Sequence, residues 1–305
     1  MNTKQFDFKP ITIEDKEVFQ AHFKNHIFNT FTFNFTSFFI WRNWDPFLWT
    51  EVNGAICVKT TFQGDAILCP FADNDQAILD ATETMINWYA ERGVPFLMVD
   101  VPQTMLEFFE RNMPQRFQVC YKPEYAEYVY DVSDLANLEG KKYTKKRNHI
   151  HQFIRNNPDY QFVPMTKDLI PACRRQLELW YSLNKKSRTL TIEKEAIESA
   201  WQYMDRLDYT GACLMLGDRV IGFTIGEPLN DEMVGIHIEK ADPEINGAYT
   251  LLNQLFVKTY WQDYKYINRA EDMGLPGLRK AKLSYYPCRM EKRYQLRVEQ
   301  SETRG

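Results

Sequence analysis

Long apolar runs are missing from this chain of 305 residues. Nothing approaches the roughly 20 residues that cross a bilayer, and the opening MNTKQFDFKP has no apolar core of the kind a secretory leader carries. No integral membrane segment is expected, and the expected location is cytoplasmic. Cysteine is sparse and scattered: Cys57, Cys69, Cys120, Cys173, Cys213 and Cys288 fall singly, without a C-x-x-C spacing. That suits reduced thiols and argues against a disulfide framework or a structural zinc. Cys288 is the one a neighbouring cation, Arg289, could make reactive. Histidine is scarce too. His22 and His26 have helical metal-pair spacing but no third ligand, while His149 and His151, two apart, point to different sides of a helix, so no metal is expected. Gly/Ser linkers and low-complexity tracts are also lacking. Neither sign of charge dominates: 37 Lys and Arg against 41 Asp and Glu leave a net charge of −4, so an anionic partner must be met by a local patch.

What is present is a folded protein, 44% apolar and 15% aromatic, long enough for two domains. Thr12, Glu14 and Asp15 open a helix over 12–26. In the aromatic tract from Phe28 to Trp49, Phe31, Phe33 and Phe35 alternate with polar residues in the period of a strand or extended loop, with Trp41, Trp44 and Trp49 following; core packing is the expected role, an acceptor tunnel or lipid contact the alternative. A hairpin over 55–69 turning on Gln63-Gly64, a helix 75–92, a strand 96–99, a helix 104–111 and a strand 125–130 complete the first lobe. The second half repeats the plan: a hairpin over 212–225 turning on Gly217-Asp218, a strand 233–239, a helix 248–262, a strand 266–269, a short helix, and a closing strand 292–297. Two further helices, 167–184 and 193–207, flank the basic SLNKKSRTLT turn. The shared plan predicts tandem lobes of one architecture, at 1–135 and 161–305, joined by a basic helix at 136–160.

That connector concentrates cations. Tyr143, Ile150, Phe153 and Ile154 form its apolar stripe; Lys141, Lys142, Lys145, Lys146, Arg147 and Arg155 occupy the rest, with no acid from Lys141 to Arg155. A solvated face or a phosphate-binding face would both account for it, and in a chain of net negative charge the second is favoured.

The residues that organise the rest run from Asn268 to Pro287, NRAEDMGLPGLRKAKLSYYP. A strand end delivers Glu271 and Asp272, the chain turns at Gly274, and a helix begins at Pro276 and stops before Pro287. Arg279 and Lys282 share a face, and Leu278, Ala281 and Tyr285 form an adjoining apolar stripe. This order of residues resembles the last part of the catalytic domain in the phosphatidylglycerol lysyltransferase family, tandem GNAT-fold acyltransferases related to the Fem-type enzymes. The likeness covers most of the chain and is most specific at 138–158 and 233–287.

The resemblance implies an α/β (α+β) fold of tandem GNAT-like lobes, each a mixed, mostly antiparallel sheet flanked by helices, with the active site in the C-terminal lobe. It implies direct transfer of an aminoacyl group from aminoacyl-tRNA to an amine or hydroxyl acceptor, which could be a small molecule, a peptide or a lipid, with no tightly bound cofactor. Asp272, Arg279, Lys282, Glu239 and Tyr285 are the implied catalytic residues: the cations steady developing negative charge, Asp272 holds the donor's amino group or joins Glu239 as base, and Tyr285 or Tyr286 donates a proton. Donor binding falls to His237, Asn246, Gly247, Ala248, Asn253 and Asn268, and tRNA binding to the six cations of the connector. A coenzyme A-dependent GNAT lobe carries Q/R-x-x-G-x-G/A where this chain has Glu244 to Tyr249, so acetyl-CoA or another acyl-CoA is the alternative donor, disfavoured by an acid beside a pyrophosphate. A non-catalytic binding protein on a degenerate lobe is the second alternative.

Overall fold

The computed structural model describes residues 5–23, 28–43, 46–61, 64–183 and 188–298; the expectations placed on His26, Trp44, Gln63 and residues 184–187 lie outside them. The chain divides into two compact units, Met1–Ala126 with Glu291–Gly305, and Glu127–Met290.

The first unit runs β1 (Lys9–Pro10), α1 (Lys16–Phe23), α2 (Phe35–Ile40), β2 (Leu48–Val52), β3 (Ala55–Thr60), β4 (Ala66–Leu68), α3 (Asp75–Glu91), β5 (Leu97–Pro102), α4 (Gln103–Asn112) and β6 (Phe117–Tyr121). Of the strand or extended loop expected through Phe31, Phe33 and Phe35, the structure shows the loop, which enters α2 at Phe35. Asn34 caps that helix by accepting from the Ser37 amide at 3.2 Å, a local bond that outcompetes alternation. Its rings fill the core: Phe19 meets Phe35, Phe38, Trp49 and Phe71 at centroid distances of 5.2 to 5.7 Å.

The second unit runs β7 (Glu127–Asp131), α5 (Val132–Asn137), α6 (Thr144–Asn156), β8 (Tyr160–Pro164), α7 (Ile170–Ser182), α8 (Arg188–Gln202), β9 (Thr210–Leu216), β10 (Arg219–Pro228), β11 (Met233–Ala241), α9 (Ala248–Tyr260), β12 (Tyr266–Asn268), α10 (Pro276–Leu283) and β13 (Arg289–Glu291). The final strand, β14 (Arg293–Val298), belongs to the first sheet.

The sheet orders, β1-β2-β3-β4-β5-β14-β6 and β8-β9-β10-β11-β12-β7-β13, are one topology used twice. Four antiparallel strands lead to a parallel step, β4 to β5 or β11 to β12, crossed by α3 or α9. An antiparallel strand from the other half of the sequence follows, β14 or β7, and then an edge strand. The tandem plan therefore holds, but its seams move. The strand at 125–130, assigned to the first lobe, pairs with β12, and the closing strand at 292–297, assigned to the second, pairs with β5 and β6. Pairing of strands so far apart in sequence leaves no local signal, which is why the expected seams at 135/136 and 160/161 differ from the observed breaks after Ala126 and Met290.

Candidate active site

In the second unit β11 and β12 pair only over Met233–Gly235 and Tyr266–Asn268. Beyond that the ladder ends and side chains span the opening. Arg269, the first residue after β12, donates from Nη2 to Glu239 Oε1 at 2.7 Å, and Asn253 of α9 donates to the other carboxylate oxygen at 2.9 Å. The guanidinium lies 4.9 Å from the Tyr285 ring and 5.8 Å from the Tyr130 ring. Lys146 of α6 reaches the same ring, its ammonium 3.6 Å from the Tyr285 centroid and 2.8 Å from Ser284 Oγ. Lys282 of α10 donates to the carbonyls of Arg269 and Ala270. Three cations thus gather around one fixed carboxylate. Arg269 Nη1 and Asn253 Oδ1 are buried there without a hydrogen-bond partner among the described residues, a donor and an acceptor that the fold leaves unsatisfied.

The turn that delivers Arg269 is built from inside. Asn268, fully buried, donates to Glu127 at 2.6 Å and accepts from the Ala270 amide at 2.8 Å, so its expected donor-binding role gives way to holding the turn. Tyr128 brackets the corner by donating its amide to Ala270 and accepting from the Arg269 amide. Ala270 (φ 57°) and Met273 (φ 51°) are left-handed without being glycine, at a cost of roughly 1–3 kcal/mol each that the surrounding bonds must hold.

Asp272, expected to hold the donor's amino group or act as base, and Arg279, expected to steady developing charge, are bound to each other. Arg279 Nε and Nη2 lie 2.7 and 3.1 Å from the two carboxylate oxygens, Tyr128 donates to Oδ2 at 2.6 Å, and the Gly274 amide donates to Oδ1 at 2.8 Å. With each oxygen accepting two bonds, Asp272 is a capping anchor for the turn into α10 and not a base, and Arg279 is its clamp. The expected apolar stripe is also corrected: Tyr285 is buried, but Leu278 and Ala281 are exposed.

The expected donor loop packs on α6, with Glu244 and Asn246 exposed. Gly247 (φ 89°) starts α9 so close to α6 that a Cβ there would lie 2.4 Å from the His149 carbonyl oxygen. Asn246 binds His149 Nδ1 at 2.7 Å and donates to Gln152 at 2.8 Å, and Ala248 is buried. His237 is also spent within the protein, 2.7 Å from Glu227 and buried between strands. Of the six connector cations, Lys146 enters the site, Arg147 donates to the Leu138 and Gly140 carbonyls, and Lys142 pairs with Asp134 at 2.7 Å; Lys141, Lys145 and Arg155 are exposed. Cys288 lies outside the cluster, its thiol donating to the Val129 carbonyl and pushed up by burial.

Electrostatics separate the cations. Burial, then repulsion from Arg269, holds Lys282 down to about 8, and the same two causes bring Lys146 to about 8 although Glu239 opposes the shift. Burial is the largest single influence on Arg269 and works against its charge, but Glu239, Tyr130 and Tyr285 together outweigh it and the guanidinium is held above its ordinary range. Burial raises the Tyr285 hydroxyl. Asp272 is held down to about 2, chiefly by Arg279. A cavity of about 370 Å³ lined by Ala172, Arg175, Gln176, Leu179, Asp218, Arg219 and Val220 shares no residue with this cluster.

Residues 27–297 match the family model described as phosphatidylglycerol lysyltransferase, C-terminal. The chain belongs to this family. Its reaction class is that of the acyltransferases, on two lobes of one topology. A conserved protein of unknown function from Bacteroides thetaiotaomicron is 31% identical, covering 97% of this chain and 100% of its own, with a TM-score of 0.87. The L-PGS structure from Bacillus licheniformis shares the fold at 14% identity over 97% of this chain and 94% of its own, with a TM-score of 0.64. FemX does so at 7% identity over 95% and 96%, with a TM-score of 0.59. An uncharacterized protein of Mycoplasmoides gallisepticum is 25% identical over 56% of each chain, so the match spans about half of that relative's length. Membership of the family was legible at the motif. Arg269 and Lys146 as site residues were not, although both lie within the stretches that carry the likeness.

Proposed function

We propose that this acyltransferase moves an aminoacyl group from aminoacyl-tRNA directly to an amine or hydroxyl acceptor, in a site formed by Arg269, Glu239, Lys146, Lys282 and Tyr285. The observation that carries the reading is the pair of lysines held near pH 8 around a buried Arg269–Glu239 couple whose guanidinium retains an unpartnered N–H.

The chemistry follows from that arrangement. The acceptor's nitrogen or oxygen attacks the ester carbonyl, and the carbonyl oxygen gains negative charge that Arg269 and Lys146 are placed to stabilise. The carbon–oxygen bond to the ribose then breaks, and the leaving oxygen takes a proton from Lys146, whose lowered pKa makes it a stronger acid than an exposed lysine. The acceptor's proton leaves through Glu239 or water. Lys282, tied to two backbone carbonyls, keeps the Arg269 turn in place and adds positive charge.

The turn at Gly247 packs closely on α6, and an exposed acid, Glu244, stands where an acyl-CoA lobe has a cation or amide; both favour a tRNA ester over coenzyme A. Lys141, Lys145 and Arg155 are the exposed cations left to meet RNA phosphates. The test is incubation of the purified chain with radiolabelled aminoacyl-tRNAs and a total extract of lipids, peptides and amines. Transfer of label to an acceptor, abolished by Lys146→Met, supports the reading; stable ester with every aminoacyl-tRNA, together with transfer from acetyl-CoA, contradicts it.

A further inference from the structure

Among the described residues four strands end the two sheets, and three of them are blunted. β1 is two residues, Lys9 and Pro10; β13 is three, Arg289–Glu291, with a charge at each end; β8 stops at Pro164 and packs Tyr160 and Phe162 on the core of its unit. Brevity, charge, proline and cover are the devices that keep a sheet edge from pairing with another chain. The fourth edge lacks all of them. β6, Phe117-Gln118-Val119-Cys120-Tyr121, carries no charge and no proline, and it pairs with β14 over all five residues without a register shift.

This strand also reaches past its cover. Strands ordinarily bury at least one face, yet Gln118 and Cys120 on one side and Val119 and Tyr121 on the other are all exposed. Phe117 is half-buried and fixes one end, its ring 5.8 Å from Phe109 of α4 and 6.4 Å from Phe96. Directly across the ladder from Val119, which is 45% exposed, Leu296 of β14 is fully buried. The apolar face of the sheet therefore continues one strand beyond the elements packed on it. Val119 and Tyr121 stand side by side there, along an edge whose outer backbone groups can extend a ladder.

The residue pattern identifies the partner. β6 is aromatic at both ends, with valine in the middle and Gln or Cys between, so it reads alike in either direction. Two copies set antiparallel about Val119 match residue for residue: Phe117 faces Tyr121 of the second copy, Val119 faces its equivalent, and Gln118 faces Cys120. Residues opposite each other across a ladder share a face, so the rings and valines form one continuous apolar row, and aromatic pairs are among the favourable cross-strand contacts. A register about Cys120 would instead set Phe117 against Pro123. At the flanks Arg116 meets Lys122 of the second copy, but Arg116 is already held by Glu83 at 3.0 Å. The relation is two-fold and self-complementary, the kind of contact that closes as a dimer and leaves no further edge of this kind to grow from.

We infer that β6 pairs with β6 of a second copy, antiparallel about Val119, and joins the two seven-stranded sheets into one. β6 lies in the first unit and the residues of the proposed transfer in the second, so either reading can fail without the other.

The test is analytical ultracentrifugation of the full chain over a range of concentrations, together with a cross-link that reads the register. Wild type is expected to pass from monomer to dimer as concentration rises. Val119→Lys, which puts an ammonium on the edge, should weaken association at least about tenfold with an unchanged far-ultraviolet spectrum. In a Cys120→Ser background, Val119→Cys should form a disulfide-linked dimer under diamide, whereas Cys120→Ser alone and Tyr121→Cys in that background should not, because Tyr121 faces Phe117. A wild type that stays monomeric at every concentration overturns the inference, as does a dimer that Val119→Lys leaves intact. So does a monomer that copurifies with a peptide released by Val119→Lys, which would give the edge to a different chain, and so does cross-linking through Tyr121→Cys equal to that through Val119→Cys, which would contradict the register.

Discussion

Arg269 lies 2.7 Å from Glu239 across the opening where β11 and β12 cease to pair. Neither group could occupy so buried a position alone, and together they leave a guanidinium N–H without a partner beside two lysines of lowered pKa. Removing the carboxylate should leave the positive cluster unbalanced. Glu239→Gln is expected to depress the Lys146 pKa further, moving the corresponding limb of the pH–rate profile to lower pH; an unmoved limb would separate Lys146 from the reaction.

Lys282 gives a pH signature in stability. Its folded pKa of about 8 lies below the ordinary lysine value of 10.5, so between these values the unfolded chain binds more protons and stability rises with pH. Measured from pH 8 to 10, denaturant unfolding should show wild type gaining about 2 kcal/mol relative to Lys282→Met. Parallel curves for the two proteins would mean that the ammonium is not desolvated.

Asp272 should behave in the opposite direction. Its carboxyl is held down to about 2, so the stability it contributes is present above 3.8 and lost as pH falls through about 2. Asp272→Ala, which orphans Tyr128 and the Gly274 amide and frees Arg279, should cost about 2–4 kcal/mol at neutral pH and remove that acid-dependent loss. A variant of wild-type stability would contradict the anchoring role.

Much of this was legible in the sequence, and what was not has identifiable causes. The β9–β10 hairpin and the β12–α10 corner carry their own local signals: the Gly217 turn, and Pro276 at the first helical position. The exchange of β7 and β14 is encoded in long-range pairing and could not be read locally. Lys146 looked like one more cation of a basic face because periodicity gives the face of a helix and not its neighbour; the neighbour is the Tyr285 ring. Asp272 and Arg279 are seven residues apart across a turn, and nothing in their order says whether they face a substrate or each other. Leu278 fits a helical apolar stripe, yet polar clamps fix α10 with that stripe outward.

RNA binding should depend on the exposed connector cations and not on all six. Replacing Lys141, Lys145 and Arg155 by Gln should reduce the salt slope of tRNA retention by about 1 for each phosphate no longer neutralised, whereas Arg147→Gln, which removes bonds to two carbonyls, should act on stability. Equal effects from both variants in a salt titration would contradict this division.

The most direct measurement is single-turnover transfer from a radiolabelled aminoacyl-tRNA with wild type and Lys146→Met side by side, with retention of the tRNA recorded in the same samples. Transfer by the variant should be slower by about 10²–10³ while retention stays within about twofold. Transfer at the wild-type rate, with Lys146 replaced and the protein folded, would contradict a reaction centred on the Tyr285 ring and the two cations against it, Lys146 and Arg269.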